Sequence, residues 1–155
     1  LSGNPSYDSR ANFMLTATMG LNGFISMGVD EDWATHMIGH ELTALCGLDH
    51  GETLAIVHPG VMDIMRKEKR GKLLQYARRV WNITIENEEQ AIDEAIERTE
   101  NFFRSIGKKT RLSEYGIGDD VIETIVERFK QRGWNVGEHG IVTPEKTRLI
   151  LEKVK

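Results

Sequence analysis

Apolar residues recur along this chain at three- and four-residue steps, the period of an amphipathic helix. Leu73, Leu74, Ala77, Val80 and Trp81 fall on one helical face. Ala91, Ile92, Ala95, Ile96, Phe102, Phe103 and Ile106 do the same, with charges filling the opposite face. A third such face holds Ile117, Val121, Ile122, Ile125, Val126 and Phe129, and Gly133 offers its C-terminal stop. The last helix is expected to start with Thr143 as cap and Pro144 in the first helical position, with Leu149, Ile150 and Val154 as its apolar face. Strand signals are nearly absent: Ile83-Thr84-Ile85 is short and isolated, and no internal repeat is present. The breaks near Gly3-Asn4-Pro5, Gly107 to Thr110 and Gly137 to Gly140 read as short loops rather than interdomain linkers. The pattern predicts one compact all-α domain over residues 1–155, with about six to eight helices. No Gly-x-Gly-x-x-Gly turn follows a strand, so the chain lacks the usual dinucleotide cradle.

One segment tests this picture. Ala11 to Val29 carries no charge, which raises the possibility of a membrane span. Asn12, Thr16, Thr18, Asn22, Ser26 and the glycines make it too polar to cross a bilayer, so a deeply buried helix is expected instead. No signal peptide opens the chain, which begins on Leu1 without a methionine, as a fragment or a processed product would.

Composition narrows the function classes. The formal net charge is -4, with both signs interspersed, which argues against a nucleic-acid surface. Arg66-Lys67-Glu68-Lys69-Arg70-Gly71-Lys72 is locally basic but short, and reads as a solvated junction between helices. A single cysteine, Cys46, excludes an internal disulfide and suits a reducing, cytoplasmic compartment. Cys46 is read as a small buried apolar residue.

The candidate chemistry lies between His36 and Glu52, which hold three of the five histidines. His36 and His40 are four residues apart, so a helix places their Cβ atoms roughly 5–6 Å apart on one face. The metallopeptidase motif needs Glu directly after its first histidine, but Met37 stands there. Glu41 follows the second histidine and projects about 100° around the helix from it. The peptidase reading is therefore rejected. His50 follows Gly47 at the expected start of the next helix, where it can point into a cleft beside His36. Spacing alone leaves open a metal site or a hydrogen-bonded, half-buried cluster. Asp32 precedes His36 by four residues, but Asp30, Glu31 and Asp32 occupy a helix start, where negative charge caps amides. Asp49 is expected to orient a neighbour or stay solvated. His58 is read as a helix-end residue and His139 as part of a Gly-rich loop, neither with a functional role.

The runs Trp33 to Thr43 and Gly47 to Val57 resemble the iron-containing alcohol dehydrogenase family, in particular its aldehyde reductase and butanol dehydrogenase branch. Lys72 to Ile83, Asn101-Phe102-Phe103 and Leu112 to Gly116 continue the similarity, which covers essentially the whole chain. Members of that family have an N-terminal α/β domain for the nicotinamide cofactor and a helical C-terminal domain for a divalent metal. The resemblance implies that His36 and His50 are two of the metal ligands and that His40 is a catalytic histidine near the nicotinamide and substrate. An Asp and a His from one upstream helix would complete the set, so Asp32 only imitates the family's aspartate. Position 46, often His in that pattern, is Cys here, which leaves ligation untouched and bears on substrate preference. The implied activity is hydride transfer between NADP or NAD, held mainly by the N-terminal domain, and a small aldehyde or alcohol, with Fe or Zn as the metal. The implied partners are that N-terminal domain and a second copy in a homodimer, with neither nucleic acid nor membrane. Alone, the chain is expected to be inactive, and to expose apolar surface in Ala11 to Val29 and on the face bearing His36. The alternative is a non-catalytic helical module, serving as an interaction surface or weak metal binder.

Overall fold

The computed structural model describes every residue except Leu1, Ser2 and Pro5. The expected break at Gly3-Asn4-Pro5 thus lies partly outside the described residues. Among the described residues seven α-helices follow one another: α1 (Tyr7–Leu21), α2 (Ala34–Cys46), α3 (His50–Ile64), α4 (Arg70–Trp81), α5 (Glu88–Ser105), α6 (Asp119–Arg132) and α7 (Pro144–Lys153). Short 3-10 turns at Leu112–Tyr115 and Glu138–Gly140 join the later helices. The expected all-α class holds, and among the described residues the sole β pairing is an isolated bridge between Val136 and Val142.

The chain divides into two compact units, Leu1–Glu31 and Asp32–Lys155. In the second, α2, α3, α6 and α7 enclose a core around Ile38, Leu42, Ile56, Met65, Ile125, Phe129, Ile150 and Leu151. A smaller cluster lies between α4 and α5, built on Leu73, Leu74, Ala77, Ile92 and Ala95. Thr99, buried on α5, donates to the Ala95 carbonyl at 2.7 Å and receives the Trp81 indole N–H at 3.3 Å, which ties the end of α4 to α5.

The expected helix ends form as the capping chemistry requires. Gly133 takes a left-handed φ of 65° and closes α6, and Thr143 accepts from the Lys146 amide at the start of α7. Some apolar positions depart from the expected faces. On α7, Thr147, Ile150, Leu151 and Val154 face the core at i, i+3, i+4 and i+7, which turns Leu149 outward. Val80, Phe102 and Ile106 are likewise exposed. His58 is no helix-end residue: α3 continues through Pro59 to Ile64. The basic run is a junction between α3 and α4, but it is ion-paired rather than simply solvated. Arg66 reaches Asp63 and Asp93, Arg70 reaches Glu88 and Glu89, and Lys69 pairs with Asp32 at 2.5 Å.

The first unit corrects the expectation of a deeply buried helix. α1 is capped by Ser6, which accepts from the Ser9 amide, yet it buries no residue. Phe13, Met14, Leu15, Leu21, Phe24, Ile25, Met27 and Val29 are all exposed. The physical reason is size, since a unit with one helix has no second element against which to bury a face. Among the described residues no helix is long and apolar enough to cross a membrane.

Candidate metal centre

The site is built where α2 turns into α3. α2 ends at Gly47, whose φ of 70° supplies the left-handed cap that side chains with a Cβ avoid. Leu48 and Asp49 then lead directly into α3, whose first residue is His50. The amides of Glu52 and Thr53 bond to the Asp49 carbonyl, and the Thr53 hydroxyl donates to the His50 carbonyl at 2.8 Å. These bonds fix the first turn of α3.

Three imidazoles meet there. Ring centroids lie 5.2 Å apart for His36 and His50, 5.1 Å for His40 and His50, and 6.4 Å for His36 and His40. Two imidazoles bound to one tetrahedral metal, with metal–nitrogen bonds of about 2.0–2.1 Å, have centroids about 5.3 Å apart. His36 with His50 meets that separation, and so does His40 with His50. His36 and His40 are too far apart to share such a metal. Among the described residues no three His, Cys, Asp or Glu side chains are grouped to hold an ion. What this chain offers a divalent metal is a pair of imidazoles at the right separation, a donor type that suits such ions.

The surroundings of His36 differ from those of its neighbours. Trp33, one turn earlier, sets its ring edge-on to His36 with centroids 4.8 Å apart. Burial, and then the adjacent imidazoles of His50 and His40, hold His36 below the usual histidine value. The neutral ring, which is the form that binds metal, thus persists to lower pH. His40 and His50 are exposed.

Beside His36 lies a cavity of about 360 Å³ lined by Asp32, Thr35, Leu54, Ala55, His58 and Phe103, among others. His58, in its lining, has Nδ1 3.5 Å from the Thr35 hydroxyl, and burial pushes its imidazole down against the opposing effect of Asp32. Asp32 does cap the start of α2, accepting from the Ala34 amide at 2.8 Å, and it also accepts from the Glu138 amide at 3.2 Å. Burial raises its carboxyl, but the hydrogen bonds from Lys69 and these amides outweigh that and hold it low. Asp32 is thus engaged in structure.

Glu41 settles the peptidase question. It points into the α2–α6 contact, where Arg128 donates to it at 2.8 Å and Arg132 donates to its other oxygen. Burial would raise its carboxyl, but the two arginines hold it below the ordinary 4.5. Because the folded value is lowered, this stabilisation is present above the unfolded value and drains away as pH falls through the folded one. Glu41→Ala is expected to cost about 1–3 kcal/mol in urea unfolding near neutral pH. The figure stays below that of a fully buried pair because both arginines remain more than a third exposed. The difference between wild type and Glu41→Gln should shrink as the pH is lowered below about 4.5.

Sequence reasoning missed Trp33, Gly39, Thr35 and His58 as neighbours of the site. Trp33 and Gly39 were detectable as the i-3 and i+3 positions around His36, on the same helical face. Thr35 and His58 meet only through the packing of α2 on α3.

Residues 2–151 match the model of the Fe-containing alcohol dehydrogenase family, C-terminal. The chain is 48% identical over 151 residues to the NADPH-dependent aldehyde reductase YqhD of Escherichia coli, covering 97% of this chain and 39% of that protein. It is 33% identical over 150 residues to NADH-dependent butanol dehydrogenase A of Clostridium acetobutylicum, covering 95% and 39%. The substrate- and cofactor-free structure of the Escherichia coli aldehyde reductase superposes with a TM-score of 0.92, covering 97% of this chain and 40% of that one. The Thermotoga maritima NADH-dependent butanol dehydrogenase A, 30% identical, gives 0.86 over 96% of this chain and 39% of that one. The chain thus spans about two fifths of the length of these relatives. It belongs to the Fe-containing alcohol dehydrogenase family, as a stretch of that family's C-terminal region.

Proposed function

We propose that this chain is the metal-binding part of an oxidoreductase that interconverts a small aldehyde and its alcohol with NADPH or NADH. His36 and His50 would hold a divalent metal, iron or zinc, and His40 would serve the reaction. The carrying observation is the meeting of three imidazoles from α2 and the start of α3, with His50 at a separation from His36, and from His40, that suits one shared metal. Distance alone fits either pairing of His50; the resemblance of the Trp33 to Val57 stretch favours His36 as its co-ligand. The other ligands, and the cofactor domain, would come from outside this chain, which spans about two fifths of its relatives' length.

When bound in such a site, a divalent metal polarises a carbonyl oxygen, and a nicotinamide supplies hydride to the carbonyl carbon. The residues of this chain do the positioning. His36, with Trp33 against it and burial keeping it neutral, presents a nitrogen lone pair. His50, fixed by the first turn of α3, presents the second. His40, exposed and 5.1 Å from the His50 ring, would hold or move the proton that the alcohol oxygen gains or loses. The same reading places the complete protein in the cytoplasm as a homodimer, with neither nucleic acid nor membrane as a partner.

The test is an aldehyde-reduction assay with NADPH and NADH. The complete gene product should turn over, and the 155-residue chain alone should not. His40→Ala in the complete protein should lower kcat by roughly a hundredfold or more and change its pH profile, with the metal retained. Full activity of His40→Ala with an unchanged pH profile would remove the catalytic role. A complete protein that binds neither metal nor nicotinamide would favour the non-catalytic helical module.

A further inference from the structure

The separation of His36 and His50 needs a cause, because the two histidines stand on different helices joined by a short turn. The two helices meet tightly at Gly39, which lies on α2 between His36 and His40. A Cβ placed on Gly39 would meet the Thr53 hydroxyl oxygen at 2.8 Å and the Thr53 Cβ at 3.3 Å, with a Leu54 methyl at 3.7 Å. Gly39 itself is buried, so these atoms press on bare backbone. Thr53 lies one turn after His50 and is fully buried, and its hydroxyl is committed to the His50 carbonyl at 2.8 Å.

We propose that Gly39 and Thr53 form the spacer that sets the distance between the two metal-binding histidines. The inference rests on the metal-centre reading for its purpose but not for its geometry. A side chain at position 39 has two ways out, and both move His50. Either α3 backs away from α2 by about half an ångström to restore ordinary contact, or Thr53 turns aside and releases the His50 carbonyl. Metal–ligand distances tolerate only about 0.2 Å, which the first outcome exceeds, and the second frees the turn that carries His50. Gly39 and Thr53 are therefore positioning residues. They donate no atom to a metal and act through His36 and His50. By contrast, a Cβ at Gly51, one residue after His50, meets nothing within 4 Å.

The experiment compares wild type, Gly39→Ala, Thr53→Ala and the double variant G39A/T53A, with two readouts. In the 155-residue chain, the NMR cross-peak between the His36 and His50 rings is followed without any metal. In the complete gene product, zinc binding is titrated calorimetrically. Gly39→Ala should weaken or abolish the cross-peak and lower zinc affinity roughly ten- to hundredfold, as loss of a ligand-orienting contact does. G39A/T53A, which removes the colliding hydroxyl together with its bond to the His50 carbonyl, should return both readouts to the level of Thr53→Ala. Thr53→Ala serves as the reference for loss of the bond to the His50 carbonyl alone. A Gly39→Ala protein with wild-type cross-peak and affinity overturns the proposal. So does a double variant that recovers neither, since that pattern marks general damage to α2. If Gly39→Ala fails to fold, recovery of both readouts in the double variant still decides for the spacer, and failure decides against it. If the cross-peak follows the proposal while zinc affinity ignores every substitution, the spacer stands and the metal-centre reading falls.

Discussion

His36→Ala or His50→Ala, made in the complete protein, is expected to remove most of the bound divalent metal and to lower kcat/KM for aldehyde reduction about a thousandfold. The magnitude follows from what a metal contributes to carbonyl polarisation, several kcal/mol, when about 1.4 kcal/mol corresponds to tenfold in rate. Metal analysis beside steady-state kinetics checks it. Asp32→Asn is the necessary contrast. Asp32 stands four residues before His36, like a ligand pair on one helix face, but its oxygens are engaged by Lys69 and by the amides of Ala34 and Glu138. That variant should keep its metal and lose some stability. Metal loss from Asp32→Asn with retention in His36→Ala would reverse the assignment.

The second large effect concerns packing. Gly60 on α3 lies where α7 crosses it, and a Cβ there would meet a Val154 methyl at 2.8 Å and the Ile150 carbonyl oxygen at 2.9 Å. A methyl can move, but a backbone carbonyl inside α7 cannot without disturbing the helix. Gly60→Ala is therefore expected to destabilise the fold by about 1–3 kcal/mol, the usual range for overpacking, and Gly60→Val by more. Gly71→Ala provides the control, since nothing lies within 4 Å of that position and α4 gains a better helix former. Chemical denaturation of the three variants gives the comparison. Equal stability for Gly60→Ala and wild type would mean that α3 and α7 are not held at this contact.

Much of this architecture was legible in the sequence because it depends on local chemistry. The helical period placed α4 to α7, Gly133 and Thr143 marked their ends, and the spacing of Met37 and Glu41 around the histidines excluded a peptidase. Glu41 then found its partners on α6, which spacing could not supply. Failures arose where tertiary packing decides. A helical period says that residues share a face but not whether anything covers it, so Leu149 and Phe102 share the pattern of buried residues and are exposed. Ala11 to Val29 fails for the same reason on a larger scale: its apolar composition is that of covered surface, and its own unit offers no cover. At the site, His36, His40 and His50 were legible as a group because two share a helix and the third begins the next. The pressure of Thr53 on Gly39 was not legible, since a glycine in a helix looks like a weakness until the neighbouring helix is in place.

The central claim, that His36 and His50 are half of one metal centre completed by the rest of the protein, has one most direct measurement. It is a structure of the complete protein loaded with zinc or iron, with the metal located by its anomalous scattering. The account predicts a single metal with one imidazole nitrogen from His36 and one from His50, each at about 2.0–2.2 Å, and His40 nearby but unbound. Its remaining protein ligands should come from residues outside the 155 of this chain. A metal bound through His40 and His50, or one held without either His36 or His50, would contradict it.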